Sequence, residues 1–179
     1  MDYNSFLRKE ERAKELIAGH YSLFEDDMFV AFSGGKDSCV ILSLALKVNP
    51  GITVIHNPKD STNSDTVHFI YDTAKSHKIV LVPFEKMGSF VQFLGLKCQI
   101  DGSRIEESSR TDKSSDFVRN GVSVNRSEMV EVNKCGLFGI VHIYPILNWT
   151  DEEVFSYLLS NNVPFSKEYI TALEKSREG

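Results

Sequence analysis

Cysteine is scarce in this chain of 179 residues: three occur, at 39, 98 and 135, and none stands in a CxxC pair. That excludes a disulfide framework and argues against a cysteine-only zinc or iron–sulfur site within one chain. Long apolar runs are missing as well. None approaches the ~20 residues that a membrane span needs. The opening Met1-Asp2-Tyr3-Asn4 lacks a basic stretch followed by an apolar one, so no secretory signal is expected and a cytoplasmic protein is the default reading. Positive charge is not in excess. The formal net charge is −5 and the pI is near 5.5, which does not favour wrapping of nucleic acid and leaves only a local basic patch open. No internal repeat appears. What the chain does have is apolar content of 41 % with 12 Phe, enough for a hydrophobic core in a single domain spanning 1–179.

The hydrophobic pattern predicts an α/β fold. Residues 2–18 read as a helix through Phe6, Leu7, Ala13, Leu16 and Ile17, with Gly19 as its stop, inside an N-terminal helical segment 1–24. Residues 28–32 form a wholly apolar strand, as expected where both sheet faces are covered. A helix over 36–48, a strand at 52–55, a helix over 64–76 and a strand at 79–82 follow. Crossovers of this length indicate a mostly parallel, twisted sheet with helices on both faces, a three-layer α/β/α arrangement. Residues 86–96 are ambiguous and allow a short helix through Phe90, Val91 and Leu94. From 101 to 127 serines and arginines dominate, which suits a mobile substrate loop over 101–135 or a disordered surface insertion. Order is expected again at 139–144, where Val141 and Ile143 alternate with His142 and Tyr144. Thr150-Asp151-Glu152-Glu153 is a capping box before an apolar helical face, and Asn161-Asn162-Val163-Pro164 ends that helix. The last dozen residues are charged and read as a frayed helix.

Ser33-Gly34-Gly35-Lys36-Asp37-Ser38 follows the first strand and opens a helix. Two glycines permit backbone angles and close approaches that other residues resist. A helix N-terminus offers unpaired N–H groups and partial positive charge, so the segment forms a cradle for phosphate oxygens. Ser33 and Ser38 can add hydroxyls, and Lys36 can bring an ammonium near the anion. Asp37 can hold a ribose, a water or a magnesium ion. Neither G-x-x-x-x-G-K-[ST] nor G-x-G-x-x-G is present. The plainer reading is a βα turn in which glycine relieves strain.

The hexapeptide resembles the S-G-G-x-D-S pyrophosphate loop of the PP-loop, or adenine nucleotide α-hydrolase-like, superfamily. The resemblance implies binding of ATP or a related adenylyl nucleotide with Mg2+, and chemistry at the α phosphorus. Tyr144-Pro145-Ile146-Leu147-Asn148-Trp149-Thr150-Asp151-Glu152-Glu153-Val154-Phe155 is similar to a segment of the phosphoadenylyl-sulfate reductase branch, which includes the small subunit of ATP sulfurylase. Gly102-Ser103-Arg104-Ile105-Glu106-Glu107-Ser108-Ser109-Arg110 resembles that branch's G-x-R-x-x-E-s-x-R segment, and Asp65-Thr66 its acidic residue and threonine after the second strand. Two departures stand out. Asn57-Pro58 replaces the T-G after the second strand, and no cysteine follows Cys135 to match the reductases' E-C-G-x-H.

Other candidates are isolated. Arg104 and Arg110 present donor forks suited to phosphate or sulfate, or else are solvated loop charge. His56 ends the second strand, where open α/β sheets bind ligands. Trp149 reads first as a core anchor, and Cys39 as core. Cys135 beside Lys134 is a weak nucleophile candidate. Three functions compete: an adenylyl-transferring enzyme releasing pyrophosphate, a phosphoadenylyl-sulfate reductase, and a nucleotide-binding partner module with little or no turnover; a homodimer or a partner protein fits any of them.

Overall fold

The computed structural model describes residues 3–57, 64–77, 80–81, 87–106, 116–119, 122–125, 129–134 and 139–170. Helix α1 (Tyr3–Phe24) and a 3-10 turn (Glu25–Asp27) lead into strand β1 (Met28–Ala31). Then come α2 (Lys36–Val48), β2 (Thr53–His56), α3 (Ser64–His77), β3 (Val80–Leu81), α4 (Met87–Phe93) and β4 (Cys98–Ile100). A hairpin of β5 (Asp116–Arg119) and β6 (Val122–Asn125), the strands β7 (Val132–Lys134) and β8 (Val141–Ile143), and α5 (Asp151–Ser160) complete the described elements.

The main sheet has the order β3-β2-β1-β4-β8-β7. Its pairings are parallel except at the edge, where β7 runs against β8. This is the three-layer α/β/α fold that the alternation predicted. Side chains of β1 alternate between two cores. Met28 and Val30 join a large core with Ala13 and Ile17 of α1, Val40, Ile41 and Leu44 of α2, and Val154 and Leu158 of α5. Phe29 points the other way, onto a smaller cluster with Ile55, Val91 and Leu96. Each such fully buried side chain contributes about 1.5–3 kcal/mol, and β1 is buried on both faces because it lies inside a parallel sheet.

Three elements differ from the sequence reading. Helix α1 continues through Gly19 to Phe24, since Tyr21 and Phe24 pack against the large core beyond it. A mid-helix glycine weakens a helix by only about 1 kcal/mol relative to alanine, less than that packing returns. Strand β4, only three residues long, follows the ambiguous stretch and was not anticipated. The region 101–135, read as a loop, carries the β5–β6 hairpin and the edge strand β7. Among the described residues no helix is long and apolar enough to cross a membrane.

The strand order creates a switch point. From β1 the chain builds outward to β2 and β3, then returns to place β4 on β1's other side. Loops leaving the carboxyl ends of β1 and β4 therefore diverge and leave a crevice between them, the usual ligand position in open α/β sheets.

Candidate active site

A cleft of about 440 Å³ occupies that crevice. Ser33, Gly35, Asp37 and Ser38 form its floor, Gln99, Asp101, Gly102 and Ser103 one wall, and Asn57 and Tyr169 another.

The floor is shaped by glycine. Gly34 has φ +83°, and a Cβ there would lie 2.6 Å from Ile70 Cγ1 and 3.0 Å from Thr66 Cγ2, both side chains of α3. Only glycine suits that angle and that space. Gly35 is the extended N-cap of α2 and no side chain caps the helix. The first-turn N–H groups thus keep their direction toward the cleft, with the positive end of the helix dipole behind them. The serines hold the loop's shape. Ser38 Oγ donates to the Gly35 carbonyl at 2.8 Å, the Gly35 N–H donates to Ser33 Oγ at 3.3 Å, and Ser33 Oγ lies 3.2 Å from Ser38 Oγ.

Charge is organised beside this floor. Lys36 Nζ lies 2.7 Å from Asp37 Oδ2 and 3.3 Å from Asp151 Oδ1. Arg104 is completely buried. Its Nη1 donates to Glu106 Oε2 at 2.9 Å and to the Trp149 carbonyl at 3.0 Å, and its Nη2 donates to Asp151 Oδ1 at 2.5 Å. Its Nε stands 2.7 Å from Asp37 Oδ1, a close ion pair by distance in which the N–H is not aligned for a hydrogen bond. Burial acts to lower the Arg104 pKa, but the carboxylates of Asp37, Asp151 and Glu106 outweigh it and the net shift is upward. The Asp151 N–H donates to Glu106 Oε2 at 2.6 Å, so the knot also fixes the start of α5. The capping box is formed as the sequence predicted, with Glu153 N–H donating to Thr150 Oγ1 at 3.2 Å and Thr150 N–H to Glu153 Oε2 at 2.8 Å.

The site residues singled out from the sequence separate into groups. Ser33, Gly34, Gly35, Asp37 and Ser38 come together at the cleft floor, with Gly34 packed behind it. Lys36 turns from the floor toward the two aspartates. Arg104, expected to reach the ligand, lies instead beneath the wall as the centre of the carboxylate knot, because Asp37 and Asp151 from two other elements converge on it. His56 is buried with Nδ1 2.7 Å from the Phe32 carbonyl, where the ring must donate. It anchors the backbone just before Ser33 and does not line the cleft. Arg110 and Cys135 lie outside the described residues. Trp149 is a core anchor, edge-on to Phe6 at 5.4 Å and to Tyr157 at 5.8 Å. Among the described residues no group of three or more His, Cys, Asp or Glu could hold a metal ion. Asp37, the expected magnesium ligand, already faces Lys36 with one oxygen and Arg104 with the other. It does not fit a divalent ion without displacing a cation.

Four wall residues escaped the sequence reading. Gln99 lies within the unrecognised β4, Asp101 and Ser103 follow it, and Tyr169 sits in the charged tail. The signal for Asp101 and Ser103 was the Asp-Gly-Ser turn after Ile100, legible only once β4 is known to end there. Asp101 Oδ1 accepts from the Ser103 N–H at 2.8 Å and from Ser103 Oγ at 2.7 Å.

The family of the phosphoadenosine phosphosulfate reductase domain matches residues 27–94 and 84–172. The chain belongs to this family, within the PP-loop superfamily that the hexapeptide suggested. The probable FAD synthase of Caenorhabditis briggsae is 29 % identical over 184 residues, covering 92 % of this chain and 32 % of that protein. Adenosine 5'-phosphosulfate reductase of Halalkalibacterium halodurans is 24 % identical over 180 residues, covering 92 % of this chain and 78 % of that one. Among solved structures, Candida glabrata FMN adenylyltransferase in complex with ATP superposes with a TM-score of 0.70 at 19 % identity, covering 93 % of this chain and 58 % of that one. The chain spans between 32 % and 44 % of the length of the first curated relatives it matches.

Proposed function

We propose that this protein is an adenylyltransferase that binds ATP with its phosphates on the loop 33–38 and passes the adenylyl group to an acceptor phosphate. The observation that carries the reading is the uncapped N-terminus of α2, set behind Gly34 and opening into the cleft at the switch point. First-turn N–H groups there suit phosphate oxygens. An acceptor oxygen attacks the α phosphorus and a new P–O bond forms. The bond from the α phosphorus to the bridging oxygen breaks, and its electron pair leaves with pyrophosphate. Charge grows on that leaving group, where helix N–H groups and the Lys36 ammonium, drawn from its aspartates, stabilise it. The likeness to a probable FAD synthase and to an FMN adenylyltransferase makes FMN the first acceptor to try.

The reductase reading draws on the adenosine 5'-phosphosulfate reductase relatives. It needs a reactive thiol. Cys39 and Cys98 are buried, and burial drives both thiol pKa values well up, that of Cys98 to about 12. Thiolate is therefore scarce at either one.

Calorimetric titration with ATP tests binding, with Gly35→Asp as the variant that places a carboxylate in the cradle and abolishes it. Turnover is followed as pyrophosphate release from ATP in the presence of FMN. Lys36→Met should slow that release by about 100-fold, the scale of losing one well-placed electrostatic donor. Replacement of all three cysteines by serine should leave most of the rate. Formation of ADP and inorganic phosphate would refute the adenylyl-transfer reading.

A further inference from the structure

Tyr169 reaches the cleft from a part of the chain that carries none of the loop motifs. Its hydroxyl would lie 3.3 Å from a Cβ placed on Gly35, directly beside the N-terminus of α2. The strap that brings it there is fixed at several points. Ser166 is 1 % exposed, and the Tyr169 N–H donates to its carbonyl at 3.1 Å. Thr66 Oγ1 lies 2.5 Å from Glu168 Oε1 and 3.2 Å from Ser166 Oγ. A hydroxyl has one proton to give. Thr66 therefore donates to the carboxylate and accepts from Ser166. The methyl of the same threonine backs Gly34. One residue at the start of α3 thus holds both the phosphate loop and the strap that faces it.

We infer that Tyr169 is a phosphate-binding residue, its hydroxyl donating to an oxygen of the pyrophosphate seated on the N-terminus of α2. The inference rests on the nucleotide reading above and adds to it a donor from outside the glycine loop. Its chemistry suits the role. Burial first, then the charges of Glu168 and Asp37, and a hydrogen bond to Glu168 push the phenol pKa up to about 12, so the hydroxyl keeps its proton at neutral pH and has one to donate to an anionic acceptor. Glu168 accepts from Thr66 and also from the Tyr169 hydroxyl, which holds the phenol at the cleft wall, where its proton can pass from that carboxylate to a phosphate oxygen of the ligand. A tyrosine carried by a clamped segment also loses little rotamer freedom when the ligand arrives, so the bond it makes is not offset by ordering.

The test is calorimetric titration of the full chain with ATP and with AMP, for the parent protein, Tyr169→Phe and Thr66→Val. Phenylalanine keeps the ring and removes only the hydroxyl. Tyr169→Phe should weaken ATP by about ten-fold or more, the scale of a hydrogen bond to a charged group, while AMP, which lacks the pyrophosphate, changes by less than about two-fold. Thr66→Val, which frees the strap, should show a smaller loss with the same preference for ATP. The thermal midpoint of Tyr169→Phe should fall by no more than about 2–4 °C, the loss of one hydrogen bond to Glu168. If the parent binds ATP and Tyr169→Phe binds it equally well, the Tyr169 assignment falls while the nucleotide reading stands. Equal losses for ATP and AMP would overturn the assignment in favour of a ring contact with adenosine. A parent that binds no ATP would overturn both.

Discussion

The loop after β1 keeps its shape through backbone, whereas the loop after β4 keeps its shape through buried charge. In the first, Gly34 turns at φ +83° and α2 starts without a side-chain cap, so donors are left pointing outward. In the second, Asp101 closes its own turn and Arg104 is spent on three carboxylates and a carbonyl. The two meet at Gly102, where a Cβ would lie 3.1 Å from the Asp37 carbonyl carbon and 3.2 Å from the Ser38 nitrogen. The difference is instructive. A loop built from backbone can offer N–H groups to a ligand. A loop built from paired charge has little left to offer and instead fixes the position of its neighbour.

The largest effect should come from breaking the second loop. Arg104→Met leaves Asp37, Asp151 and Glu106 clustered without their central cation, and removing one member of such a set destabilises by about 3 kcal/mol or more. Urea unfolding monitored by tryptophan fluorescence measures it. A loss under about 1 kcal/mol would mean the knot behaves as an exposed surface pair.

A smaller effect tests the contact between the loops. Gly102→Ala pushes a methyl against backbone of α2, and overpacking of this kind costs about 1–3 kcal/mol. ATP affinity should fall with it, because the displaced atoms belong to the first turn of α2. Gly19→Ala is the opposite control. Nothing lies within 4 Å of that Cβ position in mid-helix, so this change should stabilise by roughly 1 kcal/mol. Equal stability changes at both glycines would dissolve the proposed contact.

The last effect is confined to alkali, is nil at neutral pH, and compares one group from each side of the cleft. Cys98 in β4 holds its proton to about 12 when folded, against an ordinary value near 9. Tyr169 holds its proton to about 12, against an ordinary value near 10. Between those values the folded state binds more protons than the unfolded one, so stability falls as pH rises. Below pH 9 neither group contributes a slope. Cys98→Ala should flatten the fall from pH 9 upward, and Tyr169→Phe only from pH 10 upward. Unfolding curves at stepped pH decide it, and slopes unchanged in both variants would contradict the burial of these groups.

The same contrast explains what was readable in advance. The glycine loop was legible because its constraints are local: Gly34, Gly35 and the helix that follows are adjacent in the chain. The capping box of Thr150 and Glu153 was legible for the same reason. The wall was not. Arg104 meets Asp151 from far along the chain, and no local pattern announces that pairing. Its guanidinium therefore read as a ligand group when it is buried in a knot. Thr66 meeting Glu168 is invisible for the same reason, and with it the place of Tyr169. Strand β4 was missed because three residues are too few for periodicity to show. Its pairing with β1 and β8 makes it a strand.

That pairing has a thermodynamic consequence. Met28 lies opposite Cys98 in the sheet, and the two rims of the cleft belong to chain segments joined by no short connection. An unfolded chain has no cleft, so any molecule seated between the rims binds the native state alone. By mass action, such a molecule at a hundred times its dissociation constant adds about 2.7 kcal/mol to stability. The sheet's strand order thus couples occupancy of the cleft to the melting temperature of the whole domain. A thermal-shift screen across nucleotides reads the identity of the ligand directly from the fold.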